Sequence, residues 1–196
     1  MTTRNEMNGA WGHLAAMAVM LIAVSLSFKY AQPPIPEPIS VRAITEKDVK
    51  EEAQREHRAK AYKNASRKAA LVLRRNGCKA EFASLIGSTA VDYGLSPSIL
   101  ASVVYVESSC RATAVSGRDS VGLMQINPKV WKYSRRTLMD PERNLRIGAG
   151  ILSKYIHRFG LVEGLHAYNG FGNHTEEYST KVLTAAGLPA TITSKG

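Results

Sequence analysis

The chain has 196 residues, room for one ordinary domain with appendages rather than two full cores. Its 26 Lys and Arg against 16 Asp and Glu give a formal net charge of +10, which suits an anionic partner or a solubilising surface and does not choose between them. Two cysteines, Cys78 and Cys110, exclude a disulfide framework and leave either one bridge in an oxidising compartment or two buried thiols; no Cys/His cluster has metal-ligand spacing.

In chain order, positions 9–28 carry no charged side chain and just reach the length of a bilayer-spanning helix. Trp11 and Tyr30 bracket them, where interfacial aromatics belong. Lys29-Tyr30-Ala31 makes a poor cleavage site, so residues 1–31 are expected to be an uncleaved signal anchor. Residues 32–44 form a Pro-rich linker, opening with Pro33, Pro34, Pro36 and Pro38, that holds the later part of the chain away from a membrane. Over 45–76 the Ala-, Lys-, Arg- and Glu-rich composition without Gly or Pro predicts a helix, read as a basic stalk. From Arg58 through Lys60, Lys63, Arg67, Lys68, Arg74 and Arg75 to Lys79 no acid intervenes. That run reads either as a grip on anionic polymer or lipid head groups or as a solvated face. Nucleic acid is not an expected partner, because only Tyr62 interrupts the charges as a stacking surface.

A globular domain is expected over 77–187. A helix over 80–93 ends at Tyr93-Gly94, and Ser96-Pro97 then supplies an N-cap and a first-turn proline for a helix to Ser108. A Gly/Ser-rich loop covers 109–121, and helices are predicted over 127–132, 141–158 (after Asp140-Pro141), 161–167 and 175–186. No strand of convincing alternation is present, and 188–196 reads as a flexible tail.

On the helix from Pro97, the positions Leu100, Val103, Val104 and Glu107 fall at i, i+3, i+4 and i+7, one apolar face interrupted by a single acid. Desolvation there raises a carboxyl pKa and keeps the group protonated nearer neutrality, the setting a general acid needs. A last-turn position equally allows Glu107 to reach solvent or to be neutralised by Arg111. Spacing suggests a site here without establishing one.

Downstream the chain continues with Ala114-Val115-Ser116, Gly122-Leu123-Met124-Gln125-Ile126-Asn127-Pro128, then Asn144, Gly148 and Leu152. Ala167-Tyr168-Asn169-Gly170 comes next, and finally Thr175, Tyr178 and Val182. In this order and spacing, over about residues 80–186, the sequence resembles the soluble lytic transglycosylase (SLT) family, whose catalytic domain is related to goose-type lysozyme. The resemblance implies an all-α, lysozyme-like catalytic domain, here preceded by a transmembrane helix and a charged helical stalk. It implies cleavage of the MurNAc-GlcNAc β-1,4 bond of peptidoglycan with 1,6-anhydro-MurNAc formation, and no metal or organic cofactor. Glu107 takes the place of the family's catalytic acid/base, with Ser108 as a polar partner near the substrate's N-acetyl group. Met124 and Gln125 match the segment contacting the glycan, Tyr168 and Asn169 match cleft residues, and Tyr178 matches a second tyrosine oriented toward the glutamate.

Two departures from the family pattern stand out. Cys110 occupies a position that is often large and apolar, where it can fill that role or pair with Cys78. Asp119-Ser120 replaces a more usual small pair, which admits a hydrolytic muramidase in which Asp119 positions water. A catalytically inactive, membrane-anchored wall-binding protein is the non-enzymatic alternative. Peptidoglycan lies outside the cytoplasmic membrane, so the expectation is a single-pass protein anchored through 9–28. Its N-terminus would be cytoplasmic, its domain would face the periplasm and wall, and a larger cell-envelope or virion assembly is a candidate partner.

Overall fold

The structure, a computed structural model, describes residues 45–170 and 175–189. The anchor expected over 1–31, the linker over 32–44 and positions 190–196 of the tail lie outside the described residues. Among the described residues the architecture is helical, and no helix is long and apolar enough to cross a membrane.

Helix α1, Glu46–Arg75, begins in a capping box. Thr45 Oγ1 accepts from the Asp48 N–H at 3.2 Å, and the Asp48 carboxylate accepts from the Thr45 N–H at 2.9 Å. Residues 51–60 are all exposed and carry i,i+4 ion pairs such as Lys60–Glu56 at 2.8 Å. The second half is packed along one side rather than solvated all round. Ala65, Ala69, Val72 and Leu73 are buried and pack α1 against α2 (Ala83–Asp92) and α3 (Pro97–Ser108). The approach is close enough that a Cβ on Gly87 of α2 would lie 2.6 Å from Ser66 Cα in α1. Asp92 accepts from Tyr62 (2.6 Å) and Arg58 (2.8 Å), fastening the middle of α1 to the end of α2. The globular unit therefore starts inside α1. Its buried stripe is partly alanine, whose weak hydrophobic signal is hidden among basic residues on the outer face.

Helix α3 is the centre of the fold. Ser96 caps it, its Oγ accepting from the Ile99 N–H at 3.5 Å, and Pro97 opens the first turn. Ile99, Leu100, Ala101, Ser102, Val103 and Val104 are each at most 2 % exposed, so the helix is buried all round rather than along one face. It is packed by α1, α2 and α8 (Thr175–Ala186). Helix α6 (Pro141–Phe159) starts at Asp140, whose Oδ1 accepts from the Arg143 N–H at 2.8 Å, and α7 (Leu161–Asn169) folds back on it.

Between α3 and α6 lie two short helices, α4 (Pro128–Trp131) and α5 (Arg135–Met139). The second is not expected from sequence, since five residues are too few to show a period. In the preceding loop Val121 forms isolated antiparallel bridges with Val115 and Ile126. Cys78 and Cys110 are joined in a disulfide, which ties the segment after α1 to the residue where the chain leaves α3.

Candidate active site

Helix α3 stops just past Glu107 because Ser109 (φ 49°) and Cys110 (φ 64°) both turn left-handed. The bonded Cys110 fixes that exit, so Glu107 is presented from the C-terminal end of the most deeply buried helix. It stands in a cleft of about 770 Å³. One wall is the loop carrying Ser116, Arg118, Gln125 and Asn127; the other is Tyr168 and Asn169 at the end of α7; Trp131 and Tyr155 continue it. Among the described residues lining this cleft Glu107 is the one carboxylate.

Burial raises the Glu107 carboxyl from its ordinary value near 4.5 to about 7. The Tyr178 hydroxyl donates to Glu107 Oε1 at 2.7 Å and favours ionisation, but desolvation is the stronger effect. Burial, and then the Glu107 charge, push the Tyr168 and Tyr178 phenols well above their usual range, so both stay protonated donors.

A chain of hydrogen bonds holds the facing loop. Tyr168 donates to Met124 O at 2.8 Å, and the Met124 N–H donates to Asn144 Oδ1 at 2.8 Å. Asn144, fully buried on α6, donates through Nδ2 to Val121 O (2.7 Å) and Leu138 O (3.0 Å). Gly122 (φ +81°) is required here, since any Cβ would collide with the Asn144 amide. Gln125 is left-handed (φ 48°) and donates to Gly122 O (3.0 Å) and Ala114 O (3.2 Å). Behind the opposite wall His166, 8 % exposed, sits 2.9 Å from Ser179 Oγ and 3.2 Å from Glu163. That contact couples α7, which carries Tyr168 and Asn169, to α8, which carries Tyr178.

Five of the sequence-derived residues thus meet: Glu107, Gln125, Tyr168 and Asn169 in the cleft, and Tyr178 on the Glu107 carboxylate. Two do not. Met124 is fully buried with its side chain against Gly148, where a Cβ would lie 2.5 Å from Met124 Cβ, so it contributes through its backbone and not as a cleft wall. Ser108 is 2 % exposed and donates to Val104 O at 2.9 Å, turned into the core and absent from the cleft lining. Trp131, Tyr155, Asn127 and Asn144 were missing from the expected site. Exposed Trp131 in a four-residue helix offers no periodicity, and only its solvent-facing aromatic character hints at a ligand.

Neither other carboxylate rivals Glu107. Asp119 bonds Arg135, lies 4.0 Å from Lys129, and does not line the cleft. Glu177 borders an adjoining hollow of about 280 Å³ with Glu107 and Tyr178, but is 60 % exposed and pairs with Lys181 at 2.6 Å.

An all-α domain that presents one buried acid from its central helix to an open cleft is of the lysozyme-like class. More closely, the chain belongs to the transglycosylase SLT domain family, whose model matches residues 84–186. It is 36% identical over 106 residues to a transglycosylase of Enterobacteria phage PRD1, across 50% of this chain and 40% of that protein. It is also 36% identical over 87 residues to the endo-type membrane-bound lytic murein transglycosylase A of Cronobacter sakazakii, across 38% of this chain and 42% of the relative. The matches therefore span less than half the length of these curated relatives. A solved lytic transglycosylase from Pseudomonas aeruginosa aligns with a TM-score of 0.49 at 24% identity, over 53% of this chain and 23% of that one.

Proposed function

We propose that this chain is a peptidoglycan lytic transglycosylase that cleaves the MurNAc-GlcNAc β-1,4 bond and leaves a 1,6-anhydro-MurNAc end. The observation that carries the reading is Glu107: a carboxyl raised to about 7, bonded to a neutral tyrosine, and the single carboxylate among the described residues of the cleft lining. Protonated Glu107 donates to the glycosidic oxygen as the C1–O bond breaks, and the departing sugar leaves as an alcohol. The substrate's acetamido oxygen stabilises the positive charge developing at C1. Ionised Glu107 then removes the C6 hydroxyl proton while that oxygen bonds C1 and closes the anhydro ring. The proton lost in the first step is regained in the second, and no water is consumed.

A two-carboxylate hydrolysis is less well supported, because it needs a second acid in the cleft to orient water. Asp119, the candidate for that role, is engaged by Arg135 and Lys129 instead. In the cell, residues 9–28 would anchor the protein in the cytoplasmic membrane, with the N-terminus inside and the domain facing the wall. The basic face of α1 would then lie near anionic wall or membrane groups, inside a larger envelope or virion assembly. Mass analysis of purified peptidoglycan digested by the full chain tests the chemistry. Anhydro products support the proposal; products heavier by one water, about 18 Da, support a hydrolase.

A further inference from the structure

His166 on α7 is a buried titratable side chain that takes no part in the chemistry proposed above. Its ring is held at both nitrogens: Nε2 lies 2.9 Å from Ser179 Oγ on α8, and Nδ1 lies 3.2 Å from Glu163 Oε2. Ser179 is itself only 4 % exposed and donates to Glu176 O at 3.0 Å. Two polar side chains meeting inside a helix interface cost desolvation that an apolar pair would avoid. What they add is direction. A hydrogen bond fixes one helix against another at a set angle and distance, whereas apolar contact does not.

The pair sits between the two tyrosines of the site. Ser179 follows Tyr178 on α8, and His166 precedes Tyr168 by two positions on α7. Tyr178 donates to Glu107 Oε1 at 2.7 Å, and Tyr168 donates to Met124 O at 2.8 Å. Contacts therefore run from the acid through Tyr178 to α8, across Ser179 and His166 to α7, and through Tyr168 to the loop facing the cleft. On another side α7 is held close to α6, since a Cβ on Gly164 would lie 2.6 Å from Ile156 Cα.

We propose that His166 is a positioning residue: through Ser179 it sets α8 against α7 so that the Tyr178 hydroxyl stays on Glu107, and it governs the acid without touching substrate. Two phenols act on Glu107, Tyr178 from α8 and Tyr168 from α7. Glu177 and Lys181, at the adjoining hollow, pair with each other at 2.6 Å. Only the Tyr178 bond favours the ionised acid against burial. Loosening the joint should therefore raise the Glu107 pKa further and never lower it.

The test follows the pH profile of wall lysis by the full chain, with folding checked by melting temperature, and for activity it rests on the peptidoglycan reading above. His166→Leu keeps an apolar side chain in the interface and removes the bond. Its high-pH limb should move upward by about half a pH unit, and its maximal rate should fall about threefold to tenfold. His166→Gln, whose amide reaches the place of Nε2, should stay close to the wild type. In a Tyr178→Phe background His166→Leu should move the limb no further, because the hydroxyl it positions is gone. Should His166→Leu not fold, Ser179→Ala removes the same bond with a smaller change of shape and is read in the same way. An unmoved limb in the folded variant, a Gln variant that behaves as Leu, or an equal shift without the Tyr178 hydroxyl overturns the proposal. If the wild type lyses no wall, the peptidoglycan reading is what fails. The same variants then decide the joint through the ionisation of Glu107 itself, followed by NMR of isotope-labelled glutamate: an upward shift that needs Tyr178 supports the role of His166, and an unchanged titration removes it.

Discussion

The hydroxyl of Tyr178 donates to Glu107 Oε1 at 2.7 Å, a bond between residues 71 apart in sequence that places a neutral phenol on an acid whose pKa burial raises to about 7. It occupies one carboxyl oxygen and leaves the other for substrate. Because this bond favours the ionised form while burial favours the neutral one, the tyrosine keeps the acid from becoming too weak to release its proton.

Tyr178→Phe keeps the ring and removes the donor. The Glu107 pKa should rise, so the high-pH limb of the wall-lysis rate moves upward from about pH 7. The maximal rate should fall by roughly five- to thirtyfold, the worth of one or two kcal/mol of lost orientation. A turbidity assay across pH reads both; an unmoved limb removes Tyr178 from the account.

Stability carries the same signature. A carboxyl whose pKa is raised on folding favours the folded state fully only below its unfolded value near 4.5, and that contribution is lost as pH climbs through about 7. Glu107→Gln has no such group to ionise. Its melting temperature should match the wild type near pH 4.5 and exceed it at pH 8, as thermal denaturation at the two pH values will show.

Asn144→Ala should be among the most damaging substitutions away from the cleft. It strips partners from the Met124 N–H and from two carbonyls, all around a fully buried position. A loss of about 3–5 kcal/mol is expected in urea denaturation. Activity should fall further than stability explains, because the loop bearing Gln125 loses its tether.

Reducing the Cys78–Cys110 bond opens a loop with ends 32 residues apart. In the chain-entropy picture the cost is about 3–4 kcal/mol, measurable as a shift in denaturation midpoint with reductant. Cys110 also fixes the exit from α3, so the reduced protein should lyse wall more slowly even where it remains folded.

Much of the helical order was legible because its signals are local. Ser96-Pro97 and Asp140-Pro141 mark helix starts that the structure places at the same residues. Glu107 was legible as an oddity on an apolar face, and the motif order downstream gave it context. What sequence could not convey was the direction of side chains where the backbone leaves regular geometry. Gly122 and Gln125 have positive φ, and between them Met124 turns into the core while Gln125 faces the cleft. Ser108, next to Glu107 on the helix, necessarily points elsewhere, and here that means inward. The docking of α1 was obscured for another reason: Ala65 and Ala69 bury little area each, so tertiary contact and not periodicity decides their fate.

The central claim is that Glu107 is the proton donor, and the lysis rate of purified peptidoglycan by Glu107→Gln tests it most directly. The substitution keeps shape and removes the transferable proton, so a folded variant should lose at least about a hundredfold in rate. A Glu107→Gln protein that is folded and lyses wall at the wild-type rate contradicts the account.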